Sequence, residues 1–217
     1  MALGVMARAP SAPGKSRLSA DLSAARLATL CAALLADALD LLARCAAADR
    51  FVFYTPASAD LSPFEATAAE LAPQRGADLG ERMSAALEDL IDCRGYDGAI
   101  LIGTDSPLVT PQHIAEAAGV LRPGGVVLGP ADDGGYYLIG MRQVTRELFT
   151  GIAWGTGTVL AETLRRAQRA GVEARLIRGA YDIDTIADLE RIERDLQTMP
   201  PDVAPHVRRW LAGAEKA

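Results

Sequence analysis

The chain of 217 residues is 50% hydrophobic and 23% charged, with a net charge of −6 and a pI near 5.0. Its length and apolar share suffice for one substantial core, and the acidic balance argues against holding nucleic acid through phosphate neutralisation, which requires a basic surface. No apolar run reaches the ~20 residues that span a bilayer, and the N-terminal ALGVMA is too short for a signal-peptide core, so a cytoplasmic protein without a membrane partner is expected.

Short apolar runs alternate with longer amphipathic ones, the rhythm of βα units around a mostly parallel sheet with helices on both faces. Residues 3–6 read as a first buried strand, and the loop behind it, ARAPSAPGKSRL, sets Arg8, Lys15 and Arg17 among prolines and Gly14 ahead of a helix. Loop N–H groups, a helix N-terminus and flexible cations together suit a phosphate group; the alternative is a solvated basic loop. Gly14, Lys15 and Ser16 spell the end of a Walker A loop, but Ala9 stands where that motif needs glycine, and Pro13 removes an N–H from the phosphate cradle.

A helix is expected over residues 22–44, where Leu27, Leu30, Leu34 and Leu41 recur at near-helical spacing, and it carries Cys31 with Cys45 just past its end. These cysteines and Cys93 lack metal-ligand spacing and read as reduced, buried small hydrophobes. A second strand is predicted at 51–54, followed by a variable excursion over 56–73 that is bracketed by prolines. The polar stretch QRGADLGERM then precedes a helix at 81–90. There Gln74 and the backbone around Gly76 to Gly80 offer hydrogen bonds to a base or sugar, and a helix start capped by Asp78 fits equally.

The strand at 99–102 runs into Gly103 and Asp105, a carboxylate at a strand end, where ligands of open α/β sheets bind. Asp105 could bind a hard cation such as Mg²⁺, or make an Asx turn with Ser106 and Pro107. A helix over 111–121 brings His113 near its start, in an ordinary surface role. Strands at 126–128 and 136–139 flank the segment PADDGGYYLIG. In it Asp132 and Asp133 offer carboxylates, Gly134 and Gly135 permit close backbone approach, and Tyr136 opens an aromatic strand. A plain turn between strands is the competing interpretation.

A helix at 156–170 and a strand at 175–177 lead to YDIDTIADL, where alternation places Asp182 and Asp184 on one side of an extended segment. Two close carboxylates repel unless a cation lies between them. Thr185 and Asp188 form a capping-box pattern for a helix over 185–196, and residues 199–205 link to a short terminal helix containing His206, again in a surface role. The expected division is thus a main domain over 1–198 and a linker with a short helix over 199–217.

The ordered motifs RAPSAPGKSRL, QRGADLGERM, GTDSPLVTP, GPADDGGYYLIG, ELFTGIAWGTGTVL and DIDTIADL resemble those of the rSAM/selenodomain-associated, arsenosugar-biosynthesis type transferases. That family has a GT-A glycosyltransferase-like fold and has long been catalogued as a domain of unknown function. The chain is more distantly similar to the nucleotidyltransferases of molybdenum-cofactor and deazaflavin-cofactor biosynthesis. The resemblance, from Met6 to Leu196, implies a doubly wound sheet and a nucleotide or nucleotide-sugar donor.

On that resemblance Arg8, Gly14, Lys15, Arg17, Gln74, Gly76, Leu79, Gly80 and Thr104 would bind the nucleotide and its phosphates. Asp105, Asp182 and Asp184 would hold Mg²⁺ or Mn²⁺. Asp132, Asp133, Gly134, Gly135, Tyr136 and Trp154 would line a small-molecule acceptor, with Asp133, Lys15 and Arg17 carrying catalysis. Ser16 stands where the family has threonine, Arg8 where lysine is common and Gly155 where serine is usual, and the first loop is one residue shorter. The expected reaction is metal-dependent glycosyl transfer from a nucleotide-diphospho-sugar. Nucleotidyl transfer with release of pyrophosphate and a noncatalytic nucleotide-binding module are the alternatives.

Overall fold

The structure, a computed structural model, describes residues 1–12, 14–45, 49–62, 64 and 69–213. Pro13, residues 46–48, residues 63 and 65–68 of the predicted 56–73 excursion, and residues 214–217 lie outside the described residues. Seven strands form one sheet: β1 (Ala2–Arg8), β2 (Asp49–Thr55), β3 (Glu70–Pro73), β4 (Ala99–Gly103), β5 (Val126–Pro130), β6 (Tyr136–Met141) and β7 (Ala174–Leu176). Their order is β3-β2-β1-β4-β6-β5-β7, and β6 runs antiparallel to both its neighbours while the other pairings are parallel. The expected α/β, mostly parallel, doubly wound sheet is present.

Alternation along the strands sorts the core onto two faces. Val5, Val52, Ile100, Ile102, Val127 and Leu138 pack under α1 (Ala24–Arg44) and α3 (Pro111–Val120), with Leu35, Leu39, Leu42, Ile114 and Ala117 as their helical partners. Phe51, Phe53, Leu101, Leu128 and Ile139 point the other way, against Met83 and Leu87 of α2 (Leu79–Glu88) and Ala167 of α4 (Val159–Arg169). Near-continuous apolar strands are the consequence of covering both faces of a parallel sheet. A third cluster joins α1 to α5 (Ile186–Leu196) and α6 (Pro205–Ala212) through Leu30, Leu34, Leu189, Ile192, Val203 and Val207.

Four expectations need correction. The proline-bracketed excursion ends in an edge strand, β3: its four residues are too short to alternate, and Pro73 sits at the strand's end, where a missing N–H costs no internal ladder bond. The helix expected at 81–90 starts two residues earlier, capped by Asp78, whose carboxylate accepts from Glu81 N at 2.8 Å, and it continues as a π turn over Asp89–Cys93. That turn leaves Cys93 exposed; Cys45 is buried and Cys31 half-buried, and all three thiols are free. His113 is buried rather than at the surface, because its Nδ1 caps α3 by accepting from Thr110 N at 3.1 Å while its ring stands edge-on to Tyr137.

Candidate functional site

The site forms where the strand order reverses, outside the carboxyl ends of β1 and β4, as expected of an open α/β sheet. The chain leaves β1 at Arg8 and turns through a loop that gives Lys15 a φ of +49°, a conformation costly for a residue with a Cβ. This strained backbone sends the lysine side chain, 8% exposed, into a nest of oxygens. Its Nζ lies 3.0 Å from Asp105 Oδ1 and 3.4 Å from Asp184 Oδ1, and donates to Ile183 O at 2.5 Å. Burial draws the Lys15 pKa down, but Asp105 and Asp184 outweigh it and the net shift is upward. The lysine is a permanent cation here.

The carboxylates are set by backbone pairing between distant segments. Ile183 N donates to Asp105 O at 2.9 Å, which docks the DIDT segment on the end of β4. Thr185 caps α5, and Asp188 Oδ2 receives Thr185 N at 2.8 Å and Asp184 N at 3.1 Å, so the capping box that was legible in the sequence also orients Asp184. Asp182 accepts a short hydrogen bond from the Ser106 hydroxyl. Burial, reinforced by Asp105, Asp133 and Asp184, pushes its pKa up to about 6 against the pull of Ser106.

The acidic turn before β6 closes the group. Asp133 Oδ1 accepts from Gly135 N at 2.8 Å, and Gly134, with φ +86°, lies against the Gly157 carbonyl, so that any Cβ there would collide with it. Asp132 is drawn to Arg191 of α5 at 2.8 Å, and that guanidinium stacks 3.7 Å above the Tyr181 ring. Tyr136 and Trp154 meet edge to face with centroids 6.4 Å apart, and Trp154 Nε1 is buried without a hydrogen-bond partner. Burial raises the Tyr136 pKa well above the ordinary phenol value, so this tyrosine stays protonated.

A cavity of about 300 Å³ opens beside these carboxylates, and Arg8, Gln74, Leu79, Thr104, Asp105, Tyr136 and Asp182 all line it. Gln74 donates its amide to Ala7 O at 3.0 Å and Phe53 O at 2.8 Å, a bond pair that fixes the side chain between β1 and β2. Leu79 is 43% exposed and offers an apolar surface to a ring. Gly14 rests on Arg8, with 3.0 Å between the place of a Cβ and Arg8 Cδ.

Other expected residues lie outside that lining. A Cβ at Gly76 would strike Glu81 and one at Gly80 would strike Trp154, so these glycines shape the loop. Arg17 is exposed at the start of a short turn of 3₁₀-helix, Leu18–Ala20. Arg82 was missed from sequence. It lines the cavity and holds Gly76 O at 3.1 Å through Nε. Its available signal was position: an arginine in the first turn opposes the helix dipole and so suggests a specific partner.

Asp105, Asp182 and Asp184 offer donors of the kind a hard divalent cation takes, because all are carboxylate oxygens. Asp105, Asp182 and Asp184 do not draw so close together as Asp37, Asp40 and His206, whose ligand atoms lie within 4.8 Å of one another. The latter three form a joint instead: Asp37 accepts from His206 N and Val207 N, capping α6, and Arg209 occupies His206 Nδ1 at 2.7 Å. That arrangement leaves Nε2 protonated toward Asp40, the wrong tautomer for a metal.

A mostly parallel sheet with a cation–carboxylate nest at its switch point defines a nucleotide-diphospho-sugar transferase type of fold. Residues 38–156 match the DUF2064 family, an uncharacterized protein conserved in bacteria, and the chain belongs to that family. It is 32% identical to a protein of Desulfovibrio desulfuricans G20 provisionally assigned as a nucleotide-diphospho-sugar transferase, with a TM-score of 0.88 over 100% of this chain and 96% of that one. A cytidylyltransferase from Leptospira borgpetersenii is 14% identical, TM-score 0.60, over 99% of this chain and 94% of its own. The 2-C-methyl-D-erythritol 4-phosphate cytidylyltransferase from Thermus thermophilus is 16% identical, TM-score 0.53, over 91% and 99%. These two share the fold. None of the curated proteins matches the chain.

Proposed function

We propose that this protein is a metal-dependent transferase that binds a nucleotide-diphospho-sugar in the cavity and passes the sugar to a small-molecule acceptor. The observation that carries the proposal is Lys15, strained and buried between Asp105 and Asp184, with Asp182 beside them on the wall of that cavity. Carboxylate oxygens and cationic side chains gathered at a strand-end crevice are what a phosphate-bearing, metal-linked donor requires. The provisional assignment of the protein from Desulfovibrio desulfuricans G20 and the resemblance to arsenosugar-biosynthesis type transferases support it.

Asp105, Asp182 and Asp184 would hold Mg²⁺ or Mn²⁺, which when bound neutralises the donor's phosphates and the charge of the leaving diphosphate. Arg8, Lys15 and Arg17 add to that neutralisation from the first loop, with Gly14 letting the loop lie close to Arg8. Gln74, Leu79 and Thr104 face the base and ribose, and Gly76 and Gly80 shape the loop carrying them. Asp133 accepts the acceptor's proton or orients its hydroxyl, and Asp132, Gly134, Gly135, Tyr136 and Trp154 build the wall behind it.

The decisive experiment incubates the protein and Mg²⁺ with nucleotide sugars or nucleoside triphosphates and small hydroxyl or phosphate acceptors. Nucleoside diphosphate release with sugar appearing on the acceptor supports glycosyl transfer; pyrophosphate without any nucleoside diphosphate sinks it. The second outcome belongs to nucleotidyl transfer, which Arg8 on the cavity wall and Lys15 of the first loop would serve as well.

A further inference from the structure

We propose that Lys15 is the site's own resident cation: its ammonium occupies Asp105 and Asp184 in the free protein and has to leave them before a divalent metal can bind. The inference rests on the metal-dependent reading above and adds an obligatory movement of the Lys15 side chain.

An ammonium has three N–H donors, and Lys15 directs them at three oxygens: Asp105 Oδ1 at 3.0 Å, Asp184 Oδ1 at 3.4 Å and Ile183 O at 2.5 Å. Nothing remains with which to meet a phosphate. Two of the three acceptors are the carboxylates assigned to the metal, and Mg²⁺ binds oxygen at about 2.0–2.1 Å with little tolerance of distortion. An ammonium seated at hydrogen-bond distance from the same oxygens would face a divalent charge at close range, so the two cations exclude one another. The same lysine therefore cannot serve metal-bearing Asp105 and Asp184 from its present place; it serves phosphate only after moving.

Lys15 holds the inward position at a φ of +49°, a conformation costly for a residue with a Cβ, so leaving it releases strain. Where a competent state is only partly populated, apparent affinity falls by that fraction. Metal alone should bind weakly, and a phosphate-bearing ligand that draws Lys15 outward should strengthen it; by linkage each ligand helps the other equally.

The test measures Mn²⁺ affinity by electron paramagnetic resonance on the whole chain without nucleotide, comparing the unaltered protein with Lys15→Gln, Lys15→Arg and Arg82→Gln. Lys15→Gln should bind Mn²⁺ about tenfold tighter or more. Lys15→Arg, which keeps the charge, should stay weak. Arg82→Gln removes one positive charge from the cavity wall, where the guanidinium is bonded to Gly76 O and Ala77 O, and should gain much less. Equal gains for Lys15→Gln and Arg82→Gln, or no gain for either, would overturn the proposal while leaving a metal-binding transferase intact. No Mn²⁺ binding by any of the proteins, with or without pyrophosphate, would overturn both. Should Lys15→Gln fail to fold, ¹H–¹⁵N spectra of lysine ammonium groups in the unaltered protein decide. The buried Lys15 signal should be lost or shifted at saturating Mg²⁺, and an unchanged signal refutes displacement.

Discussion

At the scale of single residues, the acidic turn separates what the chain needs for shape from what it offers for chemistry. Gly134 is held at φ +86° against the Gly157 carbonyl, and its own carbonyl receives Leu160 N at 2.9 Å, so the turn and the start of α4 are one unit. Gly134→Ala adds strain of about 1–3 kcal/mol and a collision with backbone that cannot swing aside. Urea unfolding should show a loss in at least that range; a loss under about 0.5 kcal/mol, ordinary for a surface change, would mean the turn is not so confined. Asp133 is the counterpart. One of its oxygens caps Gly135 N, and Asn can keep that acceptor, so Asp133→Asn should leave stability within about 0.5 kcal/mol. If the other oxygen handles the acceptor's proton, turnover should drop by about 10²-fold or more in the same variant. Unchanged turnover would remove Asp133 from catalysis.

At the scale of elements, α3 shows how a buried cap couples a helix to pH. His113 is kept neutral by burial first and by Arg178 second, which lower its pKa below the ordinary 6.5, with Glu116 opposing. The unfolded chain therefore takes up a proton at a higher pH than the folded one. Stability from this group is present above about 6.5 and falls as pH drops through that value toward the depressed one. Protonation would also end the acceptance of Thr110 N by Nδ1. His113→Gln, which can still cap in a Thr-x-x-Gln pattern, should flatten the fall in unfolding free energy between about pH 7.5 and 5.5. An identical slope in both proteins would place the pH dependence elsewhere. Most elements were legible because apolar strands and amphipathic helices leave clear periods, and Thr185 with Asp188 announced a cap that the structure contains. The edge strand β3 left no such period. The reversed direction of β6 was legible only through its short link to β5, which allows a turn and no crossover; alternation along Tyr136–Met141 is the same whichever way the strand runs.

At the scale of the whole molecule, the site is a product of connections that no local pattern records. Asp105, Asp182 and Asp184 were legible as carboxylates just beyond strands, but Lys15 meets Asp184 across 169 residues and Arg191 meets Asp132 across 59. The sequence could nominate the segments and could not show that the lysine lies between the aspartates. The sheet does this by delivering the ends of β1 and β4 side by side, with Met6 in register with Gly103, and by docking Ile183 on Asp105. The α1–α6 joint at Asp37 is built as firmly yet contributes nothing to the cavity, whose lining comes from the other segments. Ligand-linked stability should follow the same division. With Mg²⁺ and a nucleoside diphosphate at about 100 times its Kd, folding gains about 2.7 kcal/mol. In hydrogen exchange, local slowing beyond this global gain should concentrate in residues 9–17, 74–80, 103–106 and 181–185. The α6 helix, Pro205–Ala212, should show only the global share, because its partners are Asp37 and the α1 surface. Slowing spread evenly over both regions would separate the ligand from the carboxylate nest, and slowing centred on α6 would move the binding site to the α1–α6 joint.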